Sequence, residues 1–250
     1  MPQWLAAGFW GLVAGSALVI GSLIGYFAHV SQRVIASVMA FGSGVLISAL
    51  SFELMDEAYK RGGYDSTAIG FLGGAVVYTV ANVLLDKKGA KHRKRSGNKQ
   101  PSESDNNGSG LAIALGSLLD GIPESIVIGI SMISSGVVSW IAVVAIFLSN
   151  VPEGLSSSAG MKKAGRPAKY IFAIWIGIAI ISGISSLLGY VVFSGFNADV
   201  IAATTAVAAG AILSMISDTM IPEAFEVAHN YAGLITVVGF LCAFLLSKIG

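Results

Sequence analysis

Leu119-Asp120-Gly121-Ile122-Pro123-Glu124-Ser125 and Leu148-Ser149-Asn150-Val151-Pro152-Glu153-Gly154 each set a Pro-Glu pair in the middle of a long apolar stretch. A carboxylate at the midplane of a bilayer is costly and needs a partner, a water-lined cavity or an ion. Two of them, each beside a proline that loosens its helix, predict a polar site inside a bundle of membrane helices. The composition agrees. Hydrophobic residues make up 54% of the chain and charged residues 12%, about half the charged share of an ordinary soluble domain. The expected fold is all-α and polytopic, a single transmembrane domain over residues 1–250.

A spanning helix needs about 20 mainly apolar residues. Eight segments qualify: roughly 4–28, 34–58, 67–85, 111–133, 137–161, 168–194, 199–226 and 230–248. Met1 to Leu5 carries no Lys or Arg and no clear cleavage site follows, so the first segment reads as a retained helix rather than a signal peptide. Glycines recur at four-residue spacing, as in Gly11 and Gly15 or Gly21 and Gly25. Such spacing permits close helix approach, but in a glycine-rich chain it is weak evidence for dimerisation. The single Cys242 excludes an internal disulfide and a multi-cysteine metal cluster.

Residues 86–110 differ from the rest. They run basic through Lys87, Lys88, Lys91, His92, Arg93, Lys94 and Arg95, then become rich in Ser, Asn and Gly. This stretch reads as a flexible basic cytosolic loop. Beside a membrane segment such a run is a topology signal or a lipid-headgroup contact, and no nucleic-acid partner is expected. With both termini outside, the inner loops hold 12 of the 15 basic residues, and the outer segments hold only Lys60, Arg61 and Lys248. The expected location is therefore a cell membrane, with the basic loops cytosolic.

Two internal correspondences organise the eight segments. Ala40, Gly44, Ser48, Ser51, Glu57 and Ala58 match Ala206, Gly210, Ser214, Ser217, Glu223 and Ala224 at an offset of 166. Those two segments run in opposite directions in the expected topology, the pattern of an inverted repeat. Leu119, Pro123 and Glu124 match Leu148, Pro152 and Glu153 at an offset of 29. The expected order is three helices, a central pair and three helices.

Proline lacks the backbone N–H and clashes with the carbonyl four residues earlier. Pro123, Pro152 and Pro222 are expected to free the carbonyls of Leu119, Leu148 and Asp218. Asp120 and Glu124 share one helix face, as do Asn150 and Glu153. If the faces meet, three carboxylates and an amide converge. They cannot all ionise together in low dielectric, so either some are protonated or a divalent cation neutralises them. Glu53, Asp56, Glu57, Asp218, Glu223 and Glu226 extend the line of carboxylates toward the two surfaces. Glu57 could instead pair with Lys60 or Arg61.

These features resemble the ZIP (Zrt/Irt-like) metal transporters across nearly the whole chain. Bacterial members often read His-Asn-x-Pro-Glu-Gly in both central helices, where this chain has Asp120-Gly121-Ile122-Pro123-Glu124-Ser125 and Ser149-Asn150-Val151-Pro152-Glu153-Gly154. The resemblance implies uptake of a divalent metal (zinc, iron, manganese or cadmium) as transported substrate, with no prosthetic group. It implies metal binding by Glu124 and Glu153, with Asp120 at the place of the first histidine, Asn150 at its motif position and Asp218 on the exit route. Glu53, Glu57 and Glu223 fall on the path. Both motif histidines are replaced, and His29, His92 and His229 lie at or beyond helix ends. One oxygen-rich site is therefore expected rather than a two-metal site, with weaker preference for zinc. The resemblance leaves a homodimer open.

A carboxylate-lined channel is the alternative; saturating, temperature-sensitive uptake would favour the carrier and large single-channel currents the channel. No enzyme activity is expected, since the chain has neither a His-Glu-x-x-His motif nor a Gly-x-Ser-x-Gly elbow.

Overall fold

The computed structural model describes residues 1–94, 100–102 and 109–249. Helix accounts for 88% of it, with no strand among the described residues. In chain order the helices are α1 (Gln3–Phe27), α2 (Gln32–Ala49), α3 (Met55–Asp86), α4 (Ser109–Ser135), α5 (Trp140–Lys163), α6 (Ala168–Phe193), α7 (Ala198–Met215), α8 (Ile221–Ala228) and α9 (Tyr231–Ile249). A π turn, Leu50–Leu54, joins α2 to α3; another, Ile216–Met220, joins α7 to α8. Side chains cap three of the starts: Ser31, Ser139 and Asn197 accept from the backbone N–H of Val34, Ala142 and Val200, which satisfies donors a helix start leaves open.

The sequence predicts a break between residues 58 and 67, and the backbone does leave helical geometry there, at Gly63, with helix reaching it from both sides. Asp56 pairs with Lys60 at 2.6 Å and Glu57 with Arg61 at 2.7 Å. Such i, i+4 pairs support a polar stretch of helix. The interruption comes at Gly63, with φ 68° and ψ −167°, a conformation essentially restricted to glycine. Counted across the kink, the run Gln32–Asp86 has 55 residues. At 1.5 Å per residue it would be about 80 Å long if straight, against a hydrocarbon core of about 30 Å. Counting it once, seven helices are long and apolar enough to cross a membrane.

The helices pack through glycine. α1 lies against α5 and α6, α2 against α9, α3 against α7, and α4 against α6. A Cβ added at Gly44 would sit 1.9 Å from the Thr236 carbonyl oxygen, and one at Gly210 1.9 Å from that of Phe71. At Gly74 and Gly239 the added Cβ would sit 1.9 Å from the carbonyl oxygen of Val207 and 2.1 Å from that of Phe41. The absent side chains let these backbones meet directly. Gly21 and Gly25 face the α5 carbonyls of Val151 and Leu155, while Gly11 and Gly15 face Ser186 and Ser182 on α6. The glycine spacing of α1 thus serves contacts within the chain. Outside the bundle, α3 exposes Val76, Val77, Val80 and Leu84, and α9 exposes Leu234, Val237, Leu241 and Leu245, surfaces suited to lipid.

The two π turns start 166 residues apart and have equal length. The offset found among side chains therefore also relates two local departures from α-helical geometry. Pro222 stands two residues after the second π turn, but its counterpart after the first is Asp56, so proline is not the common cause of the two turns.

Candidate functional site

α4 and α5 each run through their proline without a break, and they barely touch one another. Between them lie the side chains singled out in the two motifs. Asp120, Glu124, Asn150 and Glu153 are all buried, with exposures of 2, 2, 4 and 5%. Asp120 and Glu124 share a face of α4 one turn apart, and Asn150 and Glu153 share a face of α5. Asn150 donates its amide to the Ala14 carbonyl at 3.2 Å, so it ties α5 to α1.

Two cations from the basic stretch occupy the space the carboxylates enclose. Arg93 and Lys94 are each 1% exposed. Arg93 grips Asp120 with two donors, Nε to Oδ2 at 3.0 Å and Nη2 to Oδ1 at 3.0 Å. Tyr78 on α3 donates its hydroxyl to Asp120 Oδ1 at 2.6 Å and accepts from Arg93 Nη2 at 2.9 Å. Lys94 Nζ stands 2.9 Å from Glu153 Oε2 and 3.2 Å from Asp120 Oδ2, bridging α5 and α4. Burial disfavours the Lys94 ammonium, but Asp120 and Glu153 beside it outweigh that and hold its pKa above the usual lysine range. Among the described residues no hydrogen bond or ion pair reaches Glu124, although it is buried beside them.

The backbone here is secured as well. A one-turn 3₁₀ helix, Ala90–His92, precedes Arg93. Ser156 on α5 donates to the Lys94 carbonyl, and Gln100 donates to the carbonyls of Arg93 at 3.0 Å and Ser157 at 3.2 Å. Arg166 donates to the Pro101 carbonyl and the Ser109 hydroxyl. Gly116, one turn before Asp120, makes room for the guanidinium arm: a Cβ there would lie 2.6 Å from Arg93 Cδ.

Residues 86–110 are expected to form a flexible basic loop, and these contacts add to that reading for the residues described. Its described part penetrates the bundle, because three buried carboxylates lacked counter-charge and the adjacent basic run supplies it. Arg95 to Lys99 and Glu103 to Gly108 lie outside the described residues. The sequence reading missed Arg93, Lys94 and Tyr78 as site residues. One signal was present: Gly70, Gly74, Tyr78, Asn82 and Asp86 recur every fourth residue, and all but Asp86 are buried. Asp86 itself stands 3.7 Å from Arg93 Nη1.

The expected charge neutralisation takes a form the sequence reading did not consider. Asp120, Glu124 and Glu153 face two basic side chains of the same chain. Among the described residues, no three His, Cys, Asp or Glu side chains stand in an arrangement able to hold a metal ion. Lys94 occupies the point toward which the oxygens of Asp120 and Glu153 are directed.

The remaining predicted residues lie elsewhere. Glu53, on the first π turn, accepts from the Ser139 hydroxyl at 3.4 Å. Glu57 pairs with Arg61. Asp218 is exposed on the second π turn, and no hydrogen bond or ion pair among the described residues joins it to the central carboxylates. Glu223 is buried at the start of α8. His29 follows α1, His92 ends the 3₁₀ turn and His229 follows α8 at φ 46°, all outside the cluster.

No protein-family model matches the chain, and no curated protein matches it.

Proposed function

We propose that the protein carries divalent metal cations across a membrane, into the cytosol, through the buried carboxylates of α4 and α5. One observation carries the reading: Asp120, Glu124 and Glu153 lie buried together on two apolar, proline-bearing helices, and cations are drawn in to balance them. Intramembrane carboxylates that face a bundle interior are features of ion pathways. The donor set resembles that of the ZIP transporters with both histidines replaced.

The finer architecture belongs to this proposal. Gly63 divides the run Gln32–Asp86 into two crossings, so there are eight, with α7 and α8 forming the seventh. Exchanging the first three crossings with the last three, and the central two with each other, turns the α1–α5 contact into the α6–α4 contact. It likewise turns the α3–α7 contact into the α9–α2 contact, and both members of each pair occur. The matched π turns and the matched close approaches of Gly44 and Gly210 support the same inverted 3+2+3 order. Such a repeat suits alternating access around a fixed central site. Both termini then face outward and the basic stretch faces the cytosol, following the distribution of Lys and Arg.

Uptake of Mn²⁺ and Zn²⁺ into vesicles tests the reading. Wild-type protein is expected to show saturable uptake, with loss of roughly 90% or more in folded Glu124→Ala and Glu153→Ala variants, since each removes a charged donor from the site. Undiminished uptake in both variants would sink the proposal.

A second expectation concerns selectivity. An oxygen donor set without imidazole binds hard cations in preference to zinc. Competition between Mn²⁺ and Zn²⁺ in the same vesicles is expected to show no strong preference for zinc; a strong one would count against an all-oxygen site.

A further inference from the structure

We propose that Lys94 is a tethered competitor of the transported cation, holding the cation's place between Asp120 and Glu153 and leaving when metal binds. The inference rests on the carrier reading and assigns a regulator to that same site.

Three features of the geometry support it. First, the ammonium touches the right atoms. Lys94 Nζ contacts one oxygen from each central helix, Asp120 Oδ2 and Glu153 Oε2. A metal bound by both motifs would need oxygens from these same two carboxyl groups, so metal and ammonium exclude each other.

Second, the charges favour exchange. Lys94 brings one positive charge to a pair of carboxylates, and Glu124 adds a third without a described partner. A dication brings two. Arg93 is fixed differently, by paired donors on Asp120 and by Tyr78. Lysine makes a compact point contact and arginine a forked one. The structure therefore separates an anchor, Arg93, from a displaceable charge, Lys94.

Third, the backbone that carries Lys94 is held by neutral groups and is preceded by a glycine joint. Gly89, at φ 103°, adopts a backbone conformation that glycine reaches freely. It lies between the end of α3 and the 3₁₀ turn. Beyond it, the segment is held to α5 by hydrogen bonds between neutral groups, from Ser156 to the Lys94 carbonyl and from Gln100 to the carbonyls of Arg93 and Ser157. Water can replace such bonds at small net cost. On the orientation proposed above, the segment enters from the cytosolic side.

The test uses the full chain in detergent, titrated with MnCl₂. If only molecules with Lys94 displaced can bind, the apparent affinity is lowered by the fraction already displaced. Lys94→Met removes the charge at similar length and is expected to tighten Mn²⁺ binding by roughly tenfold or more. Lys94→Arg, which keeps the charge, is expected to bind no more tightly than wild type. Should Lys94→Met fail to fold, the wild-type protein decides. Acylation of lysines, followed by mass spectrometry, is expected to label Lys94 faster as Mn²⁺ is added. Labelling of the exposed Lys60 should stay constant.

Equal Mn²⁺ affinity in wild type and Lys94→Met, or unchanged Lys94 labelling at saturating Mn²⁺, overturns the competitor role and leaves the carrier reading intact. Absence of Mn²⁺ and Zn²⁺ binding in both proteins overturns the carrier reading and this inference with it.

Discussion

Asp120→Ala is expected to lower the stability of the folded protein by about 3–5 kcal/mol, the usual cost of removing one partner from a buried ion pair. Asp120 accepts hydrogen bonds from Tyr78 and twice from Arg93, and it also faces Lys94. Its loss would leave a guanidinium at 1% exposure with only Tyr78 and the more distant Asp86 near it. Lys94 would keep Glu153 alone. Asp120→Asn should cost less, because the amide oxygen still accepts from Tyr78 while the charge imbalance remains. Replacing Asp120 and Arg93 together with apolar residues of similar volume should recover much of the loss, since no unpaired buried charge is then left between them. Melting of the purified variants in detergent, with size-exclusion profiles, measures all three. A wild-type melting curve for Asp120→Ala would mean that the network contributes nothing.

Gly210→Ala is expected to cost about 3 kcal/mol although it adds only one methyl group. The new Cβ would lie 1.9 Å from the Phe71 carbonyl oxygen and 2.8 Å from its carbon. Those are backbone atoms of α3, and they cannot rotate aside as a side chain can. α3 and α7 must separate by more than an ångström along their shared length, which also opens the close approach of Gly74 to Val207. Overpacking a filled interior costs about 1–3 kcal/mol, occasionally more, and the rigidity of both partners puts this case at the upper end. Gly44→Ala should behave alike, since its Cβ would meet the Thr236 carbonyl at 1.9 Å. Gly73→Ala and Gly177→Ala have open space at the added methyl and are expected to be neutral or slightly stabilising, because alanine is the better helix former. Folded yield and melting temperature across the four variants provide the check; a uniform response would show that close helix contact is not what these glycines secure.

The long apolar helices, the helical content and the pairing of the motif residues on shared helix faces were legible in the sequence because they follow from local quantities. Apolar run length reports the cost of exposing backbone to lipid. Asp120 and Glu124, or Asn150 and Glu153, share a face at any place a helix forms, because i, i+3 and i, i+4 spacing is a property of the helix itself. The offset of 166 was also visible among small and acidic residues, and it extends to the π turns. The extension of helix through residues 58–66 on both sides of Gly63 was less legible. A polar stretch with two glycines reads as a loop until its Asp56–Lys60 and Glu57–Arg61 pairs are recognised as helical spacing.

What the sequence by itself determined is a bundle of membrane helices with buried acid at its centre. What only the tertiary structure decided is how that acid is balanced. Lys94 and Asp120 are 26 residues apart in sequence, and Lys94 and Glu153 are 59 apart; no local pattern relates them. A basic run beside a membrane segment is equally consistent with hydration, lipid contact or ion pairing. The choice depends on whether the folded bundle leaves uncompensated carboxylates within reach. It does, because α4 and α5 stand apart and Gly116 leaves room for Arg93. The chain's own cations therefore enter a site whose carboxylates the sequence could locate but whose counter-charges it could not assign.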